Sequence, residues 1–255
     1  MTFRGYMSIT TRTDDLIDAW IGRTSIIESP HRNGVVSALL HVIEGNWTHQ
    51  RSTAQKNWMW RQAPLYSKNE RQQSEVIIER QIVEAGKPHW ANQIPTASGL
   101  AGPGQDTRRA VDLAFHHGGR EFSLFELKLE SDNPWYAAKE ILLHGLVYLF
   151  TRIHSNELGY AQRGFKLLDA DIIHLRVLAP HAYYGASDLS AVEQRVNEEL
   201  RHYLSKNPSL KLTMDFKFEA FPLDFDYHLV RTTPNAGLLM QAVHARRPLF
   251  GVTER

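Results

Sequence analysis

The pattern of apolar and polar positions along the chain predicts an ordered series of helices and strands, clearest from residue 69 onward. Leu212, Met214, Phe216, Phe218 and Ala220 alternate with Thr213, Asp215, Lys217 and Glu219, which predicts a strand with one wet face. Ile172 to Leu178 is nearly all apolar and reads as a buried strand. Arg108 to Phe115 and Glu121 to Leu129 read as two strands joined by the hairpin loop His116-His117-Gly118-Gly119-Arg120. Trp90 to Thr96 is a short strand, followed by a glycine-rich loop from Ala97 to Asp106.

Helices separate these strands. Asn69 to Ala85 ends at Gly86, with Pro88 just beyond. Ser131-Asp132-Asn133-Pro134 supplies a capping side chain and a proline at the first helical position of a helix reaching about His154. Ile141 to Phe150, the longest apolar stretch, is interrupted by His144 and is assigned to this amphipathic helix. Asp188 to Leu204 and about Asn235 to Arg246 are the remaining helices of this part. Before residue 69, Thr13-Asp14-Asp15 caps a helix to about Ile21, and Asn33 caps another through Glu44. The order from residue 69 is helix, three strands, helix, strand, helix, strand. That order implies an α/β domain over residues 70–255, a mixed sheet flanked by helices, with residues 1–69 as a helical N-terminal extension.

Composition narrows the function classes. The absence of cysteine excludes disulfides and thiolate metal sites and fits a cytoplasmic protein. No apolar run is long enough for a membrane-spanning helix, and no secretory signal is apparent, so no membrane partner is expected. With 29 Lys and Arg against 28 Asp and Glu, near-neutrality counts against a broad phosphate-binding surface and leaves room for a local basic cleft. The 13 histidines form no His-x-x-x-His or His-Glu-x-x-His pattern, which disfavours a zinc enzyme, and His116-His117 reads as a pair of turn residues.

The chemistry concentrates in Val111-Asp112-Leu113-Ala114-Phe115 and Leu124-Phe125-Glu126-Leu127-Lys128-Leu129. Residues two apart in a strand share a face, so Glu126 and Lys128 project together, and Asp112 meets them from the neighbouring strand. Side chains so charged within apolar strands are costly unless something pairs with them. Phosphodiester cleavage needs a hard cation held by oxygen ligands. Asp112, Glu126 and the backbone carbonyl of Leu127 can supply those oxygens. Lys128 beside carboxylates stays protonated and suits charge stabilisation better than general base catalysis.

An acidic residue, a hairpin and then Glu-x-Lys, within this element order, resembles the PD-(D/E)xK nuclease superfamily over about residues 70–180. Val111 stands where many members carry proline. The resemblance implies a restriction-endonuclease-like fold and hydrolysis of DNA with Mg2+, for which Mn2+ substitutes, by endo- or exonucleolytic cutting. It leaves two alternatives: cleavage of RNA, or a catalytically silent binding or scaffold protein. It also implies a metal-side glutamate on the preceding helix, where Glu79 shares the apolar side with Val76, Ile82 and Val83 and Glu75 is the substitute. On the helix after the motif, Glu140, His144 and Tyr148 stand at steps of four, and His144-x-x-x-Tyr148 resembles a Gln-x-x-x-Tyr pair of some members. Core packing competes with that reading. Arg108, Arg109 and Lys139 flank the site as candidate phosphate guides. Trp47, Trp58 and Trp60, among Arg51, Lys56 and Arg61, can stack bases, but a core or homodimer contact is favoured.

Overall fold

The computed structural model describes residues 34–47, 56–62, 74–96, 109–130, 133–185, 189–232 and 235–251. The helix read at 13–21, the Asn33 cap, the first turn from Asn69, the 97–106 loop, Arg51, Arg108, Ser131, Asp132 and Asp188 lie outside the described residues.

The described elements are α1 (Gly34–Trp47), α2 (Ser74–Ala85), β1 (Trp90–Pro95), β2 (Ala110–Gly118), β3 (Glu121–Leu127), α3 (Pro134–Ile153), β4 (Ile172–Ala179), α4 (His181–Tyr184), α5 (Ser190–Ser205), β5 (Thr213–Ala220), α6 (Tyr227–Thr232), α7 (Ala236–His244) and β6 (Arg247–Pro248). The six strands form one mixed sheet in chain order, β1 to β6. β1, β2 and β3 pair antiparallel, β3, β4 and β5 pair parallel, and β6 returns antiparallel on β5. The expected order of helix, three strands, helix, strand, helix and strand is present, in an α/β fold with helices on both sheet faces.

Local chemistry explains the boundaries. β4 has parallel neighbours on both sides, and its Val177 and Leu178 point to opposite faces yet are both fully buried. In β5, Met214, Phe216, Phe218 and Ala220 are buried while their alternates are partly wet, as the period of two requires. The β2–β3 hairpin is tighter than its sequence suggests. β2 runs on through His116 and His117, leaving Gly119-Arg120 as the turn, because Gly118 and Gly119 take φ of +114° and +56°. A register shift between His116 and Gly118 accommodates the extra residue.

At the start of α3 the Asn133 side chain accepts a hydrogen bond from Trp135 N–H at 3.0 Å, and Pro134 opens the helix. This helix is not amphipathic. Every residue from Ala137 to Thr151 is buried except Glu140, because the sheet covers one side and α1 the other. At Gly145 the helix touches β4 so closely that a Cβ would overlap the buried Leu175 side chain. α1, α3 and α5 share the larger core with Trp58, whose indole N–H donates to Thr151 Oγ1 at 3.3 Å. Parts of the segment read as an N-terminal extension therefore pack into the sheet's own core. α2, α6 and α7 cover the opposite face with Leu113, Phe125 and Leu127. Among the described residues no helix is long and apolar enough to cross a membrane.

Candidate active site

The hairpin carries its charged residues at the end away from the turn. Leu113 faces Phe125 and Ala114 faces Leu124, so the next step along the pair brings Asp112 beside Glu126. The Asp112 side chain is tied to the β3 main chain by the Leu127 N–H, which donates to Asp112 Oδ2 at 2.9 Å. Lys128 lies just beyond β3, but its N–H donates to Leu178 O at 3.0 Å, so the alternation continues and its side chain joins that of Glu126. Lys128 Nζ sits 2.9 Å from Glu126 Oε1 and 2.9 Å from Glu140 Oε2. The expected convergence of Asp112, Glu126 and Lys128 is therefore present.

Helices from both faces complete a cleft of about 660 Å3, lined by Glu79, Gln93, Arg109, Asp112, Glu126 and Lys128 among others. Glu79 reaches in from α2, is 2% exposed, and accepts a hydrogen bond from Gln93 Nε2 at 2.7 Å. Glu75, one turn earlier, also lines the cleft and accepts from the Leu129 N–H at 3.4 Å. Glu140 and His144 come from α3. Tyr148 does not. Its hydroxyl points into the core and donates to Leu167 O at 2.8 Å, while Arg152 Nη1 donates to it at 2.9 Å. The reason is helical geometry: each step of four turns the side chain by about 40° past the last, so Tyr148 stands about 80° from Glu140. Of the expected line, two residues reach the cleft and the third is structural.

The electrostatics are those of crowded acids. Burial pushes the Asp112 carboxyl up to about 6, although the Leu127 N–H and Lys128 pull the other way. Glu126 is raised well above its ordinary range, first by burial and then by the charges of Asp112 and Glu140. Glu79 is raised in the same way by burial and Asp112, with Gln93 opposing. Burial disfavours the Lys128 ammonium, but Glu126 and Glu140 outweigh it and hold its pKa above the ordinary lysine value. His144 is pushed down to about 3 by burial and by Arg109, so it is neutral, with Nδ1 3.0 Å from Thr96 Oγ1. Burial and their neighbours' charges thus hold Asp112, Glu126 and Glu79 less acidic than ordinary carboxylates, a state that added positive charge would relieve. Their all-oxygen donor set suits a hard divalent cation.

Several cleft residues were not singled out from sequence. The β1–β2 register runs unbroken past Gln93, from Asn92–Leu113 to Ile94–Val111, although Gln93 adopts φ of +51°. A non-glycine residue so placed inside a strand is strained, and such strain gathers at functional sites. Flanked by polar Asn92 and apolar Ile94, it has no symmetric apolar flank to mark it in the sequence. Thr96 and Tyr136 gave no signal. Among the flanking cations, Arg109 lines the cleft, whereas Lys139 is 8% exposed with its ammonium 5.6 Å from the Tyr136 ring centre. Trp47 packs on Phe150 and His154, and Trp60 on His116 and Phe122, so these indoles serve the core. Compared with protein-family models, curated proteins and solved structures, the chain matches none of them.

Proposed function

We propose that this chain is a divalent-cation-dependent nuclease of PD-(D/E)xK type, with a restriction-endonuclease-like fold, and that it hydrolyses phosphodiester bonds of DNA. One observation carries the reading. Asp112, Glu126 and Lys128 meet at the open end of the β2–β3 hairpin, in a cleft where Glu79 and Glu140 add carboxylates that Lys128 alone does not neutralise. Asp112, Glu126 and the Leu127 carbonyl are the groups that would hold Mg2+ or Mn2+, with Glu79 behind them. Such an ion, when bound, offsets phosphate charge and makes a water molecule more acidic.

The chain's own residues do the rest. Hydrolysis joins a water oxygen to phosphorus and breaks one ester P–O bond, leaving a phosphate end and a hydroxyl end. Negative charge grows on the phosphate oxygens as this happens. Lys128, fixed between two carboxylates and kept protonated by them, presents a permanent positive charge to those oxygens. Arg109 offers a second positive charge from the cleft wall. Leu127 N–H orients the Asp112 carboxylate. Gln93 fixes Glu79, which keeps the inner wall of the cleft rigid.

The test is cleavage of labelled single- and double-stranded DNA and RNA by purified protein with Mg2+ or Mn2+, against a chelator control. We expect DNA to be cut and Asp112→Asn to lose roughly a hundredfold or more in rate with its fold unchanged. Cleavage at the wild-type rate by Asp112→Asn would overturn these residue roles, and exclusive cutting of RNA would replace the substrate.

A further inference from the structure

The opposite face of the sheet, near the hairpin turn, holds a second constellation that the nuclease reading does not use. Glu121 on β3 and His117 on β2 stand beside Ser123, which is in register with His174 on β4, itself in register with Asp215 on β5. One ring nitrogen from each of His117 and His174 and a carboxylate oxygen of Glu121 lie within 4.8 Å of one another. We propose that His117, His174 and Glu121 form a binding site for a zinc-like transition-metal ion, distinct from the acidic cleft.

The donor set argues for this class of metal. Two borderline imidazoles with one carboxylate suit Zn2+ and its neighbours, whereas the carboxylates at the centre of the cleft offer hard oxygens. Three protein ligands leave a fourth position to water or to an outside group. Zinc bonds of about 2.0–2.2 Å put neighbouring ligand atoms roughly 3.3 Å apart, so modest side-chain rotations close the site. His174 Nε2 and Glu121 Oε1 are already 2.9 Å apart.

The surroundings hold His174 as a metal-bound histidine is usually held. Its Nδ1 pairs with Asp215 Oδ1, and Asp215 Oδ2 in turn accepts from Arg176 Nη2 at 2.9 Å. A carboxylate on one ring nitrogen fixes the tautomer and aims the other nitrogen's lone pair at the metal. His117 is exposed and Glu121 partly so, which leaves a path from solvent. Ser123 Oγ, 2.8 Å from His117 Nε2, is the group that His117 leaves or keeps as its ring turns. The site bridges β2, β3 and β4, so an ion there ties the hairpin to the parallel half of the sheet. A proton shared by His174 with Glu121 and Asp215 is the competing occupant.

The experiment titrates Zn2+ into metal-stripped full-length protein against a chromophoric chelator, with Co2+ as a spectroscopic probe and thermal denaturation alongside. We expect about one high-affinity zinc per chain, tetrahedral cobalt bands and a raised melting temperature. Glu126→Gln should leave the zinc stoichiometry, the cobalt bands and the zinc-induced rise in melting temperature unchanged. His117→Ala, at an exposed position, should weaken zinc binding by a hundredfold or more and abolish the cobalt bands. Asp215→Asn should weaken it by roughly 10- to 100-fold. No zinc uptake by the wild type, or uptake unaltered by His117→Ala, means that the proton is the resident and the proposal is wrong. Uptake lost in Glu126→Gln instead would assign the ion to the acidic cleft and equally overturn it.

Discussion

The cleft at the Lys128 end of the sheet gathers Glu75, Glu79, Asp112, Glu126 and Glu140 around Lys128 and Arg109, whereas the other face of β4 and β5 sets Asp215 and Glu219 against Arg176 and Arg246. Both regions put carboxylates on a sheet, partly out of water. In the cleft, burial and mutual repulsion raise the pKa values of Asp112, Glu126 and Glu79. On the β4–β5 face burial acts on Asp215 in the same sense, but His174 and Arg176 outweigh it and the pKa is lowered. Arg176 Nε lies 3.1 Å from Glu219 Oε1 and Arg246 Nε 2.7 Å from Glu219 Oε2, so that acid is held from two sides. The contrast separates acids that complete the fold from acids that the fold holds in spite of their charge. Only the second kind calls for a hard divalent cation to balance its own charge.

The largest effect comes from neutralising the unbalanced region. Glu126→Gln should lower cleavage by roughly a hundredfold, about 3 kcal/mol in the barrier, because one oxygen ligand and one charge are lost. The same change should stabilise the metal-free protein at pH 8, since it removes a carboxylate that burial and two neighbouring acids disfavour. Each ~1 kcal/mol gained would raise the melting temperature by about 2–4 °C in a chain of this size. A variant that loses both activity and metal-free stability would mean that Glu126 is a structural ion-pair partner, and the contrast would fail.

Removing the cations should split the two regions next. Arg176→Met leaves Asp215 and Glu219 short of a partner. We expect a loss of roughly 2–3 kcal/mol, less than for a fully buried pair because the Asp215 side chain is 32% exposed. Magnesium should not restore it. Lys128→Met should also destabilise the metal-free protein, but there millimolar Mg2+ should recover most of the loss, by filling the place of the missing charge. Chemical denaturation with Mg2+ or with chelator gives both comparisons, and equal rescue of the two variants would erase the distinction.

Acidity offers a gentler probe. Groups whose pKa is raised on folding add stability that is complete below their unfolded value, about 4 for a carboxylate, and lost as pH rises through the folded value. For Asp112 that folded value is about 6, with Glu126 and Glu79 shifted in the same direction. The chelated wild type should therefore melt at progressively lower temperature between about pH 5 and pH 7.5. His174, also raised despite its burial, contributes in the same sense. Glu126→Gln isolates the cleft: its profile should be flatter than that of the wild type, and a parallel profile would put the dependence on His174.

Much of this geometry was legible in the chain, and the gaps have physical causes. The hairpin and the shared face of Glu126 and Lys128 follow from a period of two that no tertiary contact overrides. Glu79 could be read inward because Ile82 and Val83, one turn further along its apolar side, are core residues. Gln93 could not be read, because its role depends on a left-handed backbone within a strand, which no pattern of apolar positions encodes. The two-residue β6 is too short to carry a period. α3 looked amphipathic because Lys139, Glu140 and His144 are polar, yet only Glu140 is partly exposed. His116 and His117 looked like turn residues because two glycines follow them, and the strand runs through both.

Tyr148 gives the smallest effect and tests the line drawn along α3. Spacing alone grouped it with His144, but its ring packs edge-on against Trp58 at 5.3 Å and its hydroxyl serves Leu167 and Arg152. Removing the hydroxyl in Tyr148→Phe leaves the Leu167 carbonyl without that donor, while Arg152 keeps its bond to Ala170 O at 2.7 Å. The cost should be about 1–2 kcal/mol of stability, with cleavage changed by less than about twofold. A tenfold fall in cleavage with an unmoved melting temperature would instead place the hydroxyl at the reacting phosphate. Since α3 is packed on the sheet at Gly145, with no room for a Cβ against Leu175, the helix cannot rotate to bring Tyr148 round without first losing that contact.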